Sequence, residues 1–152
     1  MSARARLAEL GLALPAVAAP AGAYVPARRS GAHVFTAGQL PVVDGVLQAT
    51  GKVGAEVDTD TAKGLARLCA LNALAAVDAL VGLDAVTGVV KVTGFVASAP
   101  GFTDQPAVLN GASELFGEVF GDAGAHARSA VGVAELPKGA PVEVEIVVEV
   151  AG

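Results

Sequence analysis

The chain has 152 residues and a mass of 14.9 kDa, with 53% apolar and 16% charged residues, a formal charge of −5 and a pI near 4.9. With Gly counted and Tyr left out, the apolar share is roughly 65%, against about 45–50% for an average soluble protein, which excludes disorder and leaves one domain able to bury most of its surface. Ten basic against fifteen acidic residues, with Arg28-Arg29 as the densest cationic pair, count against a nucleic-acid partner, and a single cysteine, Cys69, excludes an internal disulfide.

From the N-terminus, Ala3–Leu12 reads as a short amphipathic helix with Leu7, Leu10 and Gly11 to one side, and Pro-rich chain follows through Pro20. So short a helix is marginal on its own in water. Residues 1–20 are therefore expected to form an N-terminal arm, frayed or docked, on a single domain at 21–152. Leu10–Ala27 runs eighteen residues without a charge, near membrane-spanning length, but Pro15, Pro20 and Pro26 break a spanning helix. Arg4, Arg6 and Ala16-Val17-Ala18 sketch a signal peptide, yet Glu9 and Pro15 interrupt its apolar stretch. A cytoplasmic protein with no membrane partner is the expectation.

Val34–Ala37 reads as a strand after the Ser30-Gly31 turn, and Pro41–Leu47 as a hairpin around Asp44-Gly45. Gly51–Asp58 is a polar loop. Asp58 or Asp60 can cap a long helix that stops at Gly82. Leu65, Leu68, Leu71, Leu74, Val77 and Leu80 recur every three residues with Cys69, Ala73 and Ala76 beside them, so its apolar surface is wide. Lys63, Arg67, Asn72 and Asp78 mark the wetter side. Val86–Ala97 is a long strand rich in β-branched residues, expected to be buried on much of both faces. A second helix starts near Asp104, with Pro106 in its first turn, and ends at Gly121. Val108, Leu109, Ala112, Leu115, Phe116, Val119 and Phe120 form its stripe, and Asn110 lies on the flank. Ser129–Ala134 and Val142–Val150 are the last strands. The final one alternates strictly, with Val142, Val144, Ile146, Val148 and Val150 facing one way and Glu143, Glu145, Val147 and Glu149 the other.

The order β-β-β-α-β-α-β-β predicts an α+β fold, one sheet with two helices packed on one face. The bare second face, on so apolar a chain, predicts a homo-oligomer.

Chemistry is sparse. No nucleophile elbow, Walker loop, zincin motif or dinucleotide fingerprint occurs. Cys69, His33 and His126 lack the spacing of a zinc set, and Ser129, three residues from His126, reads as turn chemistry. Arg128 stands out as the only cation between Lys91 and Lys138, opening a strand of Ala, Gly and Val. A guanidinium in that setting needs an anion. Glu143 or Glu145 could supply it, and so could a ligand carboxylate held by two parallel N–H···O bonds. Three glutamates on one strand face ordinarily make a solvated face, and the lone Tyr24 ordinarily packs at an edge.

Ala127-Arg128-Ser129-Ala130-Val131-Gly132-Val133, Leu136-Pro137 and Val142-Glu143-Val144-Glu145 resemble the C-terminal signature of the RidA/YjgF family of reactive-intermediate deaminases. Gly22-Ala23-Tyr24-Val25 and Thr36-Ala37-Gly38-Gln39-Leu40-Pro41-Val42 resemble its N-terminal hairpin, and Asn110 in Leu109-Asn110-Gly111-Ala112 its second-helix asparagine. The arm and His126-Ala127-Arg128 look like a longer subgroup.

The resemblance implies a chorismate-mutase-like fold, a mostly antiparallel six-stranded sheet, and a homotrimer with clefts between subunits. It implies hydrolytic deamination of enamine/imine intermediates of the 2-aminoacrylate type to 2-keto acid and ammonia, without metal or organic cofactor. Arg128 would clamp the substrate carboxylate. Glu143, ionised beside that arginine and acting as acceptor, would hold or polarise the attacking water. Tyr24, Gly38 and Asn110 would line the cleft, the Ala130 backbone would meet the imine end, and His126 would add a polar group. Ala37 and Ala130 stand where the family archetype has Ser and often Cys. A trimer that binds small carboxylates without turnover is the alternative, and the endoribonuclease label carried by some members is a third reading, disfavoured by the acidic charge.

Overall fold

A computed structural model describes residues 1–152 as two layers, a sheet and a pair of long helices. The elements are α1 (Ala3–Glu9), β1 (Ala27–Ser30), β2 (His33–Thr36), β3 (Val42–Val43), β4 (Val46–Leu47), α2 (Thr59–Val81), β5 (Val86–Ala97), α3 (Gln105–Phe120), β6 (Ala127–Val133) and β7 (Val142–Val150). The main sheet has five strands in the order β1-β2-β7-β5-β6, all neighbours antiparallel except β5 and β6.

The expected sixth strand is absent from this sheet, because β3 and β4 form a two-stranded ribbon of their own. Asp44 and Gly45 both take positive φ at its tip, the geometry of a tight two-residue hairpin turn. In exchange the main sheet gains β1, which the sequence hid. Its Arg28-Arg29-Ser30 run is exposed and lacks alternation, since an edge strand need bury little.

The Asp58 carboxylate accepts from the Thr61 N–H at 2.7 Å and starts α2, which runs to Gly82. By length and composition α2 could cross a membrane, but half of its most apolar stretch is buried inside the domain, so it is a core helix here. Asn72, expected on its wetter side, is buried instead. It donates to the carbonyls of Leu40 and Val42, both at 3.1 Å, and ties the ribbon to α2. Two paired acceptors remove the desolvation cost that would otherwise keep an amide at the surface. α3 crosses α2 at Gly111, where any Cβ would overlap the Lys63 carbonyl, and rests Leu109 on Gly94 of β5. Lys63–Glu114 and Arg67–Glu118 ion pairs flank that crossing.

Both helices cover one face. Val142, Val144, Ile146, Val148 and Val150 of β7 point into that layer with Val89, Val92 and Val96 of β5, as the alternation predicted. The other face carries Glu143, Glu145, Val147, Phe95 and the half-exposed Phe35 and Val131, with no layer of the chain over it. α1 is docked rather than frayed: Leu7 is buried, Arg6 Nε donates to the Glu118 carbonyl at 2.9 Å, and Arg4 pairs with Asp78.

Candidate functional site

Arg128 lies on β6, the outer strand of the sheet, opposite Val92 of β5. Residues paired across neighbouring strands share a face, and Val92 is buried under the helices. Arg128 therefore projects to the helix side and reaches the flank of α3. Its Nη1 donates to Asn110 Oδ1 at 2.9 Å and to Ser113 Oγ at 3.2 Å, and its Nη2 donates to the Pro106 carbonyl at 3.4 Å. No carboxylate of the chain pairs with it. Those three acceptors occupy both Nη1 hydrogens and one on Nη2, leaving Nε–H and one Nη2–H without a partner in the chain. A carboxylate is the ligand that two such donors fit.

Behind Ser113 stands His126. Its Nδ1 lies 2.6 Å from the Gly124 carbonyl and its Nε2 lies 2.8 Å from Ser113 Oγ, while Phe116 meets the ring edge-on at 5.8 Å between centroids. Ala130 sits two residues beyond Arg128 on the same face, partly packed on the core. The Val133 carbonyl accepts from the Ser98 N–H, so alternation turns the peptide groups of Ser129, Val131 and Val133 inward. Those of Arg128, Ala130 and Gly132 face the free edge.

A second cluster forms around the start of β7. Glu143 alternates with buried valines and so stands on the open face, half-buried against Gly38. A Cβ at Gly38 would come within 2.7 Å of the Glu143 carboxyl, so any larger residue there would push that carboxyl from its present position. Tyr24, Ala37, Gly38, Gln39 and Glu143, with the Pro15–Ala21 stretch of the arm, line a cavity of ≈ 480 Å³. The Tyr24 hydroxyl accepts from the Ala21 N–H at 3.1 Å. Burial, and secondarily the Glu145 carboxylate, hold Glu143 above the usual carboxylate range.

The chain thus brings Arg128, Asn110, Ala130 and His126 together at one edge, and Tyr24, Gly38 and Glu143 together elsewhere. Arg128 and Glu143 occupy opposite faces, two strands and three residues of register apart, on the order of 14 Å between backbones at ordinary strand spacings. Glu143 is therefore not ionised by a neighbouring arginine in the same chain. It keeps its proton to higher pH because apolar surroundings and a second carboxylate oppose its charge. His126 makes no hydrogen bond to the guanidinium itself; its ring meets Ser113, which in turn accepts from Arg128. Ser113 escaped the sequence reading. Its one signal is position: it follows Asn110 by three residues, one turn along the same helix edge. Ser129, nearer His126 in sequence, instead accepts from Lys91 Nζ at 3.2 Å. No group of three His, Cys, Asp or Glu side chains is placed to hold a metal ion.

Residues 4–149 match the protein family described as "YjgF/chorismate mutase-like, putative endoribonuclease". The protein TCP17 of Trypanosoma cruzi is 48% identical over 147 residues, covering 95% of this chain and 92% of that one. Among solved structures, Atu1372 of Agrobacterium tumefaciens, of unknown function, is 44% identical with a TM-score of 0.90, covering 99% and 94% of the two chains. TdcF of E. coli, solved with bound serine, is 29% identical with a TM-score of 0.61, covering 91% and 96%. With the α+β topology and a family match over nearly its whole length, the chain belongs to the RidA/YjgF family.

Proposed function

We propose that this protein hydrolyses reactive 2-imino acids to 2-keto acids and ammonia, as a homotrimer whose sites lie between subunits. The observation that carries this reading is the state of Arg128, a guanidinium fastened on one side by Asn110, Ser113 and the Pro106 carbonyl and unpaired on the other. A 2-imino acid spans only a few ångströms from carboxylate to imine nitrogen. It cannot touch Arg128 and Glu143 of one chain, which lie on opposite faces. A neighbouring copy resting on the open face and the free β6 edge would bring a second chain's Glu143, Gly38 and Tyr24 to the first chain's Arg128.

In such a cleft Arg128 grips the carboxylate through its free N–H pair, and the outward Ala130 peptide meets the imine end. Glu143 takes a proton from water as the oxygen adds to the C=N carbon, and the nitrogen gains a proton. Collapse of the resulting carbinolamine forms the keto group and expels ammonia. A carboxylate held above its usual range is a stronger base and suits that exchange. Fixing the acid and orienting the water supply the rest of the rate.

The test is keto-acid release from freshly generated 2-iminopropanoate. Wild-type protein accelerates it, and Arg128→Ala lowers kcat/KM by about 10²–10³-fold, the scale of truncating one partner of a buried charged pair. Unaccelerated release by pure wild-type protein overturns the reading. One observation favours a second reading, a trimer that binds small carboxylates without turnover: the TdcF relative holds serine, which is not an imine. Saturable 2-keto acid binding with no acceleration would establish it.

A further inference from the structure

We infer that His126 is a positioning residue for the carboxylate clamp, acting through Ser113 rather than on the ligand. The inference rests on the clamp role proposed for Arg128 and adds the device that orders it. A carbonyl oxygen only accepts, so His126 Nδ1, 2.6 Å from the Gly124 carbonyl, carries the ring proton. In the neutral ring Nε2 is then an acceptor, and the Ser113 hydroxyl, 2.8 Å away, donates to it. With its hydrogen committed, Ser113 Oγ turns lone-pair density toward Arg128 Nη1 at 3.2 Å.

The donors therefore run in one direction, from Arg128 to Ser113 to His126 to the Gly124 carbonyl. Phe116 fixes the ring edge-on at the far end. Without an acceptor at Nε2, the Ser113 hydroxyl turns back to the carbonyl four residues earlier in α3, the habit of serine inside a helix. Its lone pairs then leave the guanidinium, and Asn110 alone holds Nη1. The free N–H pair loses its aim while its charge is unchanged. His126 would thus set how well the fork is presented and would touch no reacting atom.

His126→Phe keeps the ring volume and the Phe116 contact but removes both nitrogens. His126→Gln restores an acceptor near the Nε2 position, and Ser113→Ala breaks the chain from the other side. Each is checked for folding by thermal melt and then read in two ways. In the ligand-free protein, ¹⁵N relaxation of Arg128 Nε reports side-chain order. In the presence of 2-ketobutanoate, calorimetric titration reports the clamp, and steady-state rates with 2-iminobutanoate separate KM from kcat.

The expected result is loss of Arg128 Nε order in His126→Phe and Ser113→Ala, with recovery in His126→Gln. 2-Ketobutanoate binding weakens and KM rises about 2- to 10-fold, the scale of one neutral hydrogen bond, while kcat moves less than KM. The double variant is no worse than Ser113→Ala alone. Unchanged Nε order in both His126→Phe and Ser113→Ala overturns the inference, and so does a His126→Gln protein as impaired as His126→Phe. The ligand-free readout decides even if wild-type protein neither binds nor turns over, an outcome that would sink the proposed reaction by itself.

Discussion

The two faces of one sheet prepare their functional groups in opposite ways. On the helix face, Arg128 is held by groups of its own chain, and three acceptors from α3 set its direction. On the open face, Glu143 receives no hydrogen bond from the chain and sits half-buried beside a second carboxylate. One half is organised by the chain itself. The other is energetically unsettled, its charge opposed by burial and by a neighbouring carboxylate. The proposed reaction needs both halves, so it needs an assembly, and each half can be broken separately.

The largest expected effect comes from the unsettled half. Glu143→Gln should lower kcat by about 10²–10⁴-fold if the carboxyl is the general base. The same change should raise stability above the acidic range. A carboxyl whose folded pKa is raised favours the fold only while protonated, so wild-type stability falls as pH rises from the ordinary carboxylate range through the folded value. Thermal melts should therefore coincide at low pH and separate in favour of the Gln variant above that window.

Next in size is a complementation experiment. Arg128→Ala and Glu143→Gln proteins, each inactive alone, should regain about a quarter of wild-type activity when unfolded together and co-assembled at random, because a quarter of shared sites then hold both intact groups. No recovery on mixing would mean that the two groups do not meet across subunits. Gly38→Ala is milder. The added methyl pushes only the flexible end of Glu143, so the melting temperature should barely move while kcat/KM drops roughly 10-fold from misplacement of the base. The smallest effect is a control remote from both halves. Asp58→Ala removes the α2 cap and should lower the melting temperature without changing activity. The Thr61 N–H lowers the Asp58 pKa, so this contribution is present above the ordinary aspartate range and fades as pH falls through the folded value. The gap between the two melts should close in acid.

Much of the fold was legible because its elements bury one face each. The β7 alternation, the α3 stripe and the capping residues Asp58, Gly82 and Gly121 all report local geometry. β1 was not legible, since an exposed edge strand has no burial pattern to show. Asn72 misled because an amide on an apolar helix looks wet until two carbonyls from a distant ribbon come to meet it. In the candidate site, Arg128 was visible by its isolation among apolar residues, and Tyr24, Gly38, Asn110, Ala130, Glu143 and His126 through family resemblance. Ser113 was invisible, because a serine on a helix edge has no signature until the strand beside it is known.

The amino-acid sequence by itself determined the element order from β2 onward, the ends of the two long helices, the side of β7 that is buried and the lone guanidinium of Arg128. Those follow from periodicity and charge along the chain. Only the tertiary structure decided that Arg128 and Glu143 point away from each other, that the ribbon leaves the main sheet, and that the His126 ring meets Ser113. Each depends on which strand lies beside which and in what register, and register is set by packing between segments far apart in the chain.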